Sequence, residues 1–119
     1  PQINSVEDLI AANAYNGSLP PINSDESQTG ILGVMCRDNN GSLDIIIFNV
    51  PDYTVKIYDA AEGGNLLGSD TSKYDEGSYV AKIALEPDVV VDDLYVTFTF
   101  NGGSEQRRIP LGILISPFV

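Results

Sequence analysis

The stretch Val55–Ile83 reads VKIYDAAEGGNLLGSDTSKYDEGSYVAKI. Its acids (Asp59, Glu62, Asp70, Asp75 and Glu76) and its glycines suit either an acidic metal-binding loop or a series of strands joined by turns. Val55 and Ile57 alternate with Lys56 and Tyr58, and Tyr79, Ala81 and Ile83 alternate with Val80 and Lys82. A period of two sends successive side chains to opposite faces of a strand. The acids and glycines fall between the alternating runs, where a chain reverses. Strands and turns therefore account for the stretch better than a metal loop.

The same period extends in both directions. ILGVMCR and LDIIIFNV read as two strands joined through Asn40-Gly41, a pair suited to a tight hairpin turn. Pro51-Asp52 ends the second, since proline cannot donate to a central ladder. YTVKIYD places Tyr53, Val55 and Ile57 on one face. GSYVAKIAL groups Tyr79, Ala81, Ile83 and Leu85, and LYVTFTF groups Leu94, Val96, Phe98 and Phe100. Asn101-Gly102-Gly103 turns the chain into EQRRIPLGILI, a last strand or pair of strands. No segment between the strands is fit to be a crossover helix. The expected fold is all-β, an antiparallel sandwich of about seven strands over residues 31–119.

Residues 1–30 read as an arm. In Ser5–Ala14, SVEDLIAANA, Ser5 suits an N-cap and Glu7 and Asp8 suit the first turn. Val6, Leu9, Ile10 and Ala14 recur at helical spacing. So short a helix needs a surface to dock on, either its own body or a partner. LPPINSDESQTG, residues 19–30, is a linker by composition. No secretory leader is visible at the start of the sequence.

The 119 residues carry 17 acids against 3 Lys and 3 Arg, a formal charge of −11. Such a body is repelled by phosphate backbones and anionic lipid, so neither nucleic acid nor membrane is an expected partner. Cys36 is the only cysteine, which excludes an intrachain disulfide and a cysteine-based zinc site; within ILGVMC it is expected to pack as a small hydrophobe.

Within the opening stretch, Val55, Ile57, Tyr58 and Asp59 form a V-x-V-Y-D-like strand. Gly63, Gly64, Leu66, Leu67 and Gly68 follow as a glycine turn and L-L-G. Asp75, Gly77 and Tyr79 then open the next strand as D-x-G-x-Y. With LYVTFTFNGG, the pattern over residues 43–111 resembles bacterial and phage Ig-like, fibronectin-type-like modules. The antibody-type cysteine pair and tryptophan are missing. The resemblance implies a structural or adhesive role: surface stalks, adhesins and enzyme accessory regions, or the capsids, tails and decoration proteins of tailed phages.

The chain has no histidine, so Ser-His, Cys-His and histidine–metal chemistry are absent, and no enzyme or cofactor is expected. Asp38, Asn40, Ser42 and Asp44 alternate like the start of a calcium loop, but glycine falls at the fourth position and no glutamate at the twelfth. A hairpin turn explains them better. A second carboxylate group, Asp59, Glu62, Asp70 and Asp75, would meet only if two turns share one end of the sandwich. Tyr58, Tyr74 and Tyr95 fall on outer faces or turns and are the candidates for stacking on a sugar. Arg107-Arg108 is expected to neutralise neighbouring carboxylates.

In IPLGILISPFV, Ile109, Leu111, Ile113 and Ile115 would form one core face, leaving Leu114, Phe118 and Val119 over. An uncovered apolar end suits a subunit contact. The expected function is thus a non-enzymatic virion protein, capsid- or tail-associated. It would attach through Val6, Leu9 and Ile10 of the arm and Leu114, Phe118 and Val119 of the C-terminal segment, to other subunits or to further copies of itself. A bacterial extracellular or cell-surface adhesion module, holding a glycan or calcium, is the alternative. Deleting residues 1–18 would then abolish attachment and leave the sandwich folded.

Overall fold

The computed structural model describes residues 3–13, 29–30, 32–36, 42–75 and 77–114, with backbone alone for 34–36. After one helix, α1 (Val6–Asn13), come eight strands: β1 (Leu32–Cys36), β2 (Ser42–Ile47), β3 (Tyr53–Tyr58), β4 (Leu66–Thr71), β5 (Lys73–Asp75), β6 (Ser78–Ala84), β7 (Tyr95–Phe100) and β8 (Ile109–Pro110). They form two four-stranded sheets, ordered β1-β2-β6-β5 and β4-β3-β7-β8, with every neighbouring pair antiparallel. This is an Ig-like sandwich arrangement, with strands one, two, five and six in one layer and three, seven and eight in the other. The remaining strand, β4, sits on the open edge of β3.

Alternation fills the space between the layers. Tyr53, Val55 and Ile57 of β3 pair in register with Phe100, Phe98 and Val96 of β7. They face Leu43, Ile45 and Ile47 of β2 and Ala81 and Ile83 of β6, all buried in one cluster. Each fully buried aliphatic or aromatic side chain contributes about 1.5–3 kcal/mol, enough in sum to hold a chain of this size without a disulfide.

Helix α1 belongs to that core. Ser5 Oγ accepts from the Asp8 amide (3.2 Å) and Asp8 Oδ2 accepts from the Asn4 amide (3.0 Å), a reciprocal cap that fixes where the helix begins. Ile3, Val6 and Leu9 are buried in the cluster the strands build, and Ile10 packs against it. At the far end Asn13 is buried: its Nδ2 donates to the Leu9 and Gly30 carbonyls (both 2.8 Å), and its Oδ1 accepts from the Leu32 amide (3.0 Å). The Val6 amide donates to Gln106 Oε1 (3.3 Å) and Arg107 Nε donates to Glu7 Oε2 (2.9 Å). The helix therefore runs from the start of β1, an edge of one sheet, to the segment before β8, an edge of the other.

The opposite side closes differently. The chain leaves β4 in one sheet and enters β5 in the other through Ser72 alone. The Ser72 amide donates to the Tyr53 carbonyl (2.8 Å) and its Oγ accepts from the Tyr53 amide (3.2 Å). Beyond Val80, β6 has no β5 left to pair with, and Asp70 Oδ2 accepts from the Lys82 amide (2.8 Å) in place of a ladder carbonyl. β4 comes this close because Gly68 faces Ile83: a Cβ there would strike Ile83 Cγ2.

Strand β8 ends at Pro110, and Leu111–Ile113 forms a 3-10 turn. A strand through 109–115 would have turned Ile113 inward and left Leu114 outside. The tighter period of the turn does the reverse: Leu114 is fully buried with Ile109 and Leu111, and Ile113 is 54% exposed. Ile115, Phe118 and Val119, the Asn40-Gly41 turn, most of the residue 19–30 linker and Ile31 lie outside the described residues.

Candidate functional site

The best-organised polar cluster lies on the outer face of the β4-β3-β7-β8 sheet. Alternation that sends Val55, Ile57, Val96 and Phe98 inward sends Lys56, Tyr58, Tyr95 and Thr97 outward, with Lys56 opposite Thr97 and Tyr58 opposite Tyr95. Glu105, in the extended segment before β8, reaches over them. Its Oε2 accepts from Thr97 Oγ1 (2.5 Å) and from the Tyr58 hydroxyl (2.9 Å), and its Oε1 lies 3.8 Å from Lys56 Nζ. The Thr97 and Tyr58 hydroxyls hold the Glu105 carboxyl below its ordinary range, with smaller help from Lys56 and Arg108.

Arg108 joins this cluster to the β3–β4 turn. Its guanidinium lies 3.6 Å over the Tyr58 ring, and one terminal nitrogen donates to the carbonyls of Ala60 and Gly63 (both 2.8 Å). Inside the turn, Asp59 Oδ1 accepts from the Asn65 amide (2.7 Å) and Oδ2 from its side-chain Nδ2 (3.0 Å). Those two bonds lower the Asp59 carboxyl below its usual value. Gly64, at φ +68°, leaves room for them, since a Cβ there would hit Asp59 Oδ1. Both shifts favour the ionised carboxylate. The chemistry on offer is hydrogen bonding that fixes a turn and a sheet face.

A second feature sits on the opposite layer at the strand switch. Asp70, Lys73, Tyr74, Asp75, Val80 and Lys82 line a groove of about 450 Å³. Two of the three lysines of the chain are here. Tyr74 is 67% exposed, and its ring meets Tyr79 edge-on at 5.2 Å and 69°. Lys73 Nζ lies 3.8 Å from Asp70 Oδ1.

The residues singled out from sequence are distributed as follows. Val6, Leu9 and Leu114 are buried in the chain's own core with Ile10 against it, while Phe118 and Val119 lie outside the described residues. Tyr58 and Tyr95 share the Glu105 face, where Arg108 covers one ring face of Tyr58; Tyr74 stands apart on the other layer. Of the first calcium candidates, Asp38 and Asn40 lie outside the described residues and Asp44 is fully buried on β2. The second group is not assembled: among the described residues no three potential ligands gather, with Asp59 committed to Asn65 and Asp70 to the Lys82 amide. The Cys36 side chain is likewise outside the description. Arg107 pairs with a carboxylate as expected; Arg108 donates to the turn carbonyls and its charge also favours the ionised Glu105 and Asp59.

Sequence reasoning missed Glu105 and Lys82, and placed Asp70 only among possible calcium ligands, whereas it accepts from the Lys82 amide. Lys82 was detectable in principle, since alternation assigns it to the outer face beside Val80. Glu105 and Asp70 act at long range in sequence, and no local spacing marks them. The chain matches no protein-family model and no curated protein. Among the described residues no helix is long and apolar enough to cross a membrane.

Proposed function

We propose that this domain is a non-enzymatic structural module that decorates a larger assembly, a virion capsid or tail, and attaches to it by protein–protein contact. The observation that carries this reading is apolar surface at one end of the sandwich. Val90 (56% exposed) precedes the 3-10 turn Val91–Asp93 and Ile113 (54% exposed) ends the 3-10 turn Leu111–Ile113, and the two turns pack on each other. The charge of −11 suits the outside of a particle, away from its nucleic acid. The helix is unsuited to the attachment role, because Val6 and Leu9 serve the domain's own core.

Density-gradient sedimentation of the native source tests the proposal, which expects the protein in a large-particle fraction. Val90→Lys with Ile113→Lys should release it as free domain with unchanged folding. Free domain in the native source, or particle association unaffected by the two lysines, would refute it.

A second reading, an extracellular or cell-surface adhesion module, is favoured by one feature: the exposed Tyr74 ring beside its groove.

A further inference from the structure

We propose that the surface covering Val90 and Ile113 belongs to a different protein and is an apolar patch bordered by lysine and arginine. The inference rests on the attachment reading above and gives its partner a chemistry.

The segment from Leu85 to Leu94 crosses from β6 of one sheet to β7 of the other, at one end of the sandwich. Leu85 and Leu94 are buried and anchor it. Backbone bonds hold its shape between them. The Val89 amide donates to the Glu86 carbonyl (3.1 Å), the Asp93 amide to the Val90 carbonyl (3.0 Å) and the Leu94 amide to the Val91 carbonyl (3.1 Å). The Leu111 amide donates to the Leu94 carbonyl (3.0 Å), which sets the turn carrying Ile113 beside the one that follows Val90. Leu111 and Leu114 are fully buried on either side of Ile113. Two exposed aliphatic side chains are thus mounted on a fixed frame, and covering them carries little ordering cost.

Charge says what kind of partner fits. Leu85–Leu94 contains Glu86, Asp88, Asp92 and Asp93 and no base, so it holds a charge of −4 out of the chain's −11. No Lys or Arg occurs between Lys82 and Arg107. All four acids are exposed, and none has a hydrogen-bond or ion-pair partner among the described residues. A purely apolar partner would dehydrate these carboxylates at its border and give them nothing in return. Lysine and arginine at that border would pair with them and steer the encounter. The acids are spread rather than gathered: among the described residues no three potential ligands converge on one point. That spacing suits separate cations on a surface better than a single metal ion.

A second copy of the chain is a poor occupant. Two copies meeting through this end would set like charges against each other. A head-to-tail contact would need a basic patch, and the described bases are dispersed and mostly engaged. Lys56 lies by Glu105, Lys73 by Asp70 and Arg107 by Glu7, while Arg108 is bonded to the β3–β4 turn.

The test is an amide-shift titration of the whole chain with three designed helical peptides. One has a leucine face bordered by lysines, one has glutamate in place of every lysine, and one keeps the lysines and replaces every leucine by glutamine. The first should shift residues 86–93 and 111–113, and should weaken by about threefold or more between about 50 and about 500 mM salt. The other two should bind about tenfold more weakly or worse. Val90→Ala with Ile113→Ala should weaken the first peptide by about tenfold. Asp88→Asn with Asp92→Asn should weaken it by about threefold or more. Asp52→Asn with Asp75→Asn makes an equal change of charge at the other end and should leave binding nearly unchanged. All these side chains are exposed, and the amide spectrum itself reports that the fold is kept. Shifts that map elsewhere, equal binding of the glutamate or the leucine-free peptide, or equal losses in the two charge variants would overturn the proposal. Particle association separates it from the attachment reading. Association that ignores Asp88→Asn with Asp92→Asn overturns this inference alone. Free domain in the native source, with the first peptide mapped to this end, overturns only the attachment reading.

Discussion

The hydroxyl of Tyr53, on β3 of one sheet, donates to the carbonyl of Tyr79, on β6 of the other, at 2.6 Å. The same oxygen accepts from the Ile47 amide (3.3 Å) and lies 3.2 Å from the Ile45 carbonyl on β2. The ladder between β2 and β6 runs only as far as Ile46 and Val80 at this end, and the tyrosine serves backbone groups just beyond it. One side chain thus pins the two layers through their core, as Asp70 and the Lys82 amide do at the β4–β6 edge. Tyr53→Phe keeps the ring and strands those buried groups, so a loss of about 1–3 kcal/mol is expected. Urea denaturation measures it, and a change below about 0.5 kcal/mol would show that relaxation or water replaces the hydroxyl.

The same residue predicts an alkaline limit. Burial, helped by the Asp70 charge, raises the Tyr53 hydroxyl well above its ordinary value of 10.0. The folded state then holds this proton more tightly than the unfolded state. Stability from this source is intact below about pH 10 and falls as the pH rises toward the folded value. Urea midpoints at pH 8 and pH 11 should separate widely for the wild type and less for Tyr53→Phe. Parallel losses in the two proteins would mean that Tyr53 does not titrate in this way.

Leu9 decides whether the helix is an arm or part of the body. It is fully buried among residues supplied by both sheets. Leu9→Ala should therefore cost about 2–5 kcal/mol of the stability of the whole domain, in a single transition seen alike by helix and strand probes. Loss of helix signal with an unchanged strand transition would return the helix to the status of a detachable arm. Deleting residues 1–18 should likewise destabilise the sandwich, contrary to what the sequence by itself suggests.

What the sequence disclosed and what it hid follow from the same cause. β3, β6 and β7 each bury one face, so their alternation is complete and their inward residues could be named. β4 and β5 lie at sheet edges with little inward side, and their residues carry no clear periodic signal. The switch between them was therefore invisible, and with it the groove. The apolar stripe of α1 was legible, but a stripe does not say what covers it. At the C-terminal end the period changed from two to three within Ile109–Leu114, which inverted the places of Ile113 and Leu114. The Glu105 cluster joins β3, β7 and the segment before β8, and contacts of that range leave no trace in spacing.

Gly68 tests the strand switch directly. Gly68→Ala puts a methyl group against Ile83 at the point where β4 approaches β6. Either Ile83 leaves its rotamer or β4 withdraws and loosens the bond between Asp70 and the Lys82 amide. A destabilisation of about 1–3 kcal/mol is expected, with faster amide exchange at Lys82. Unchanged exchange there would show that the close approach is not what holds the switch together.

Glu105 should set an acid limit of modest size. Its carboxyl is lowered chiefly by the Thr97 and Tyr58 hydroxyls, so the folded state favours the ionised form. The contribution is present above the ordinary glutamate value of 4.5 and is lost as the pH falls through the folded one. The side chain is 38% exposed and solvent screens it, so the effect should stay below about 1 kcal/mol. Glu105→Gln keeps an acceptor oxygen for one hydroxyl and removes the charge facing Lys56. Relative to wild type it should lose less stability between pH 7 and pH 3, the two converging at the acid end. A constant gap across that range would mean that Glu105 acts by shape and hydrogen bonding alone, and its ionisation would not matter to the fold.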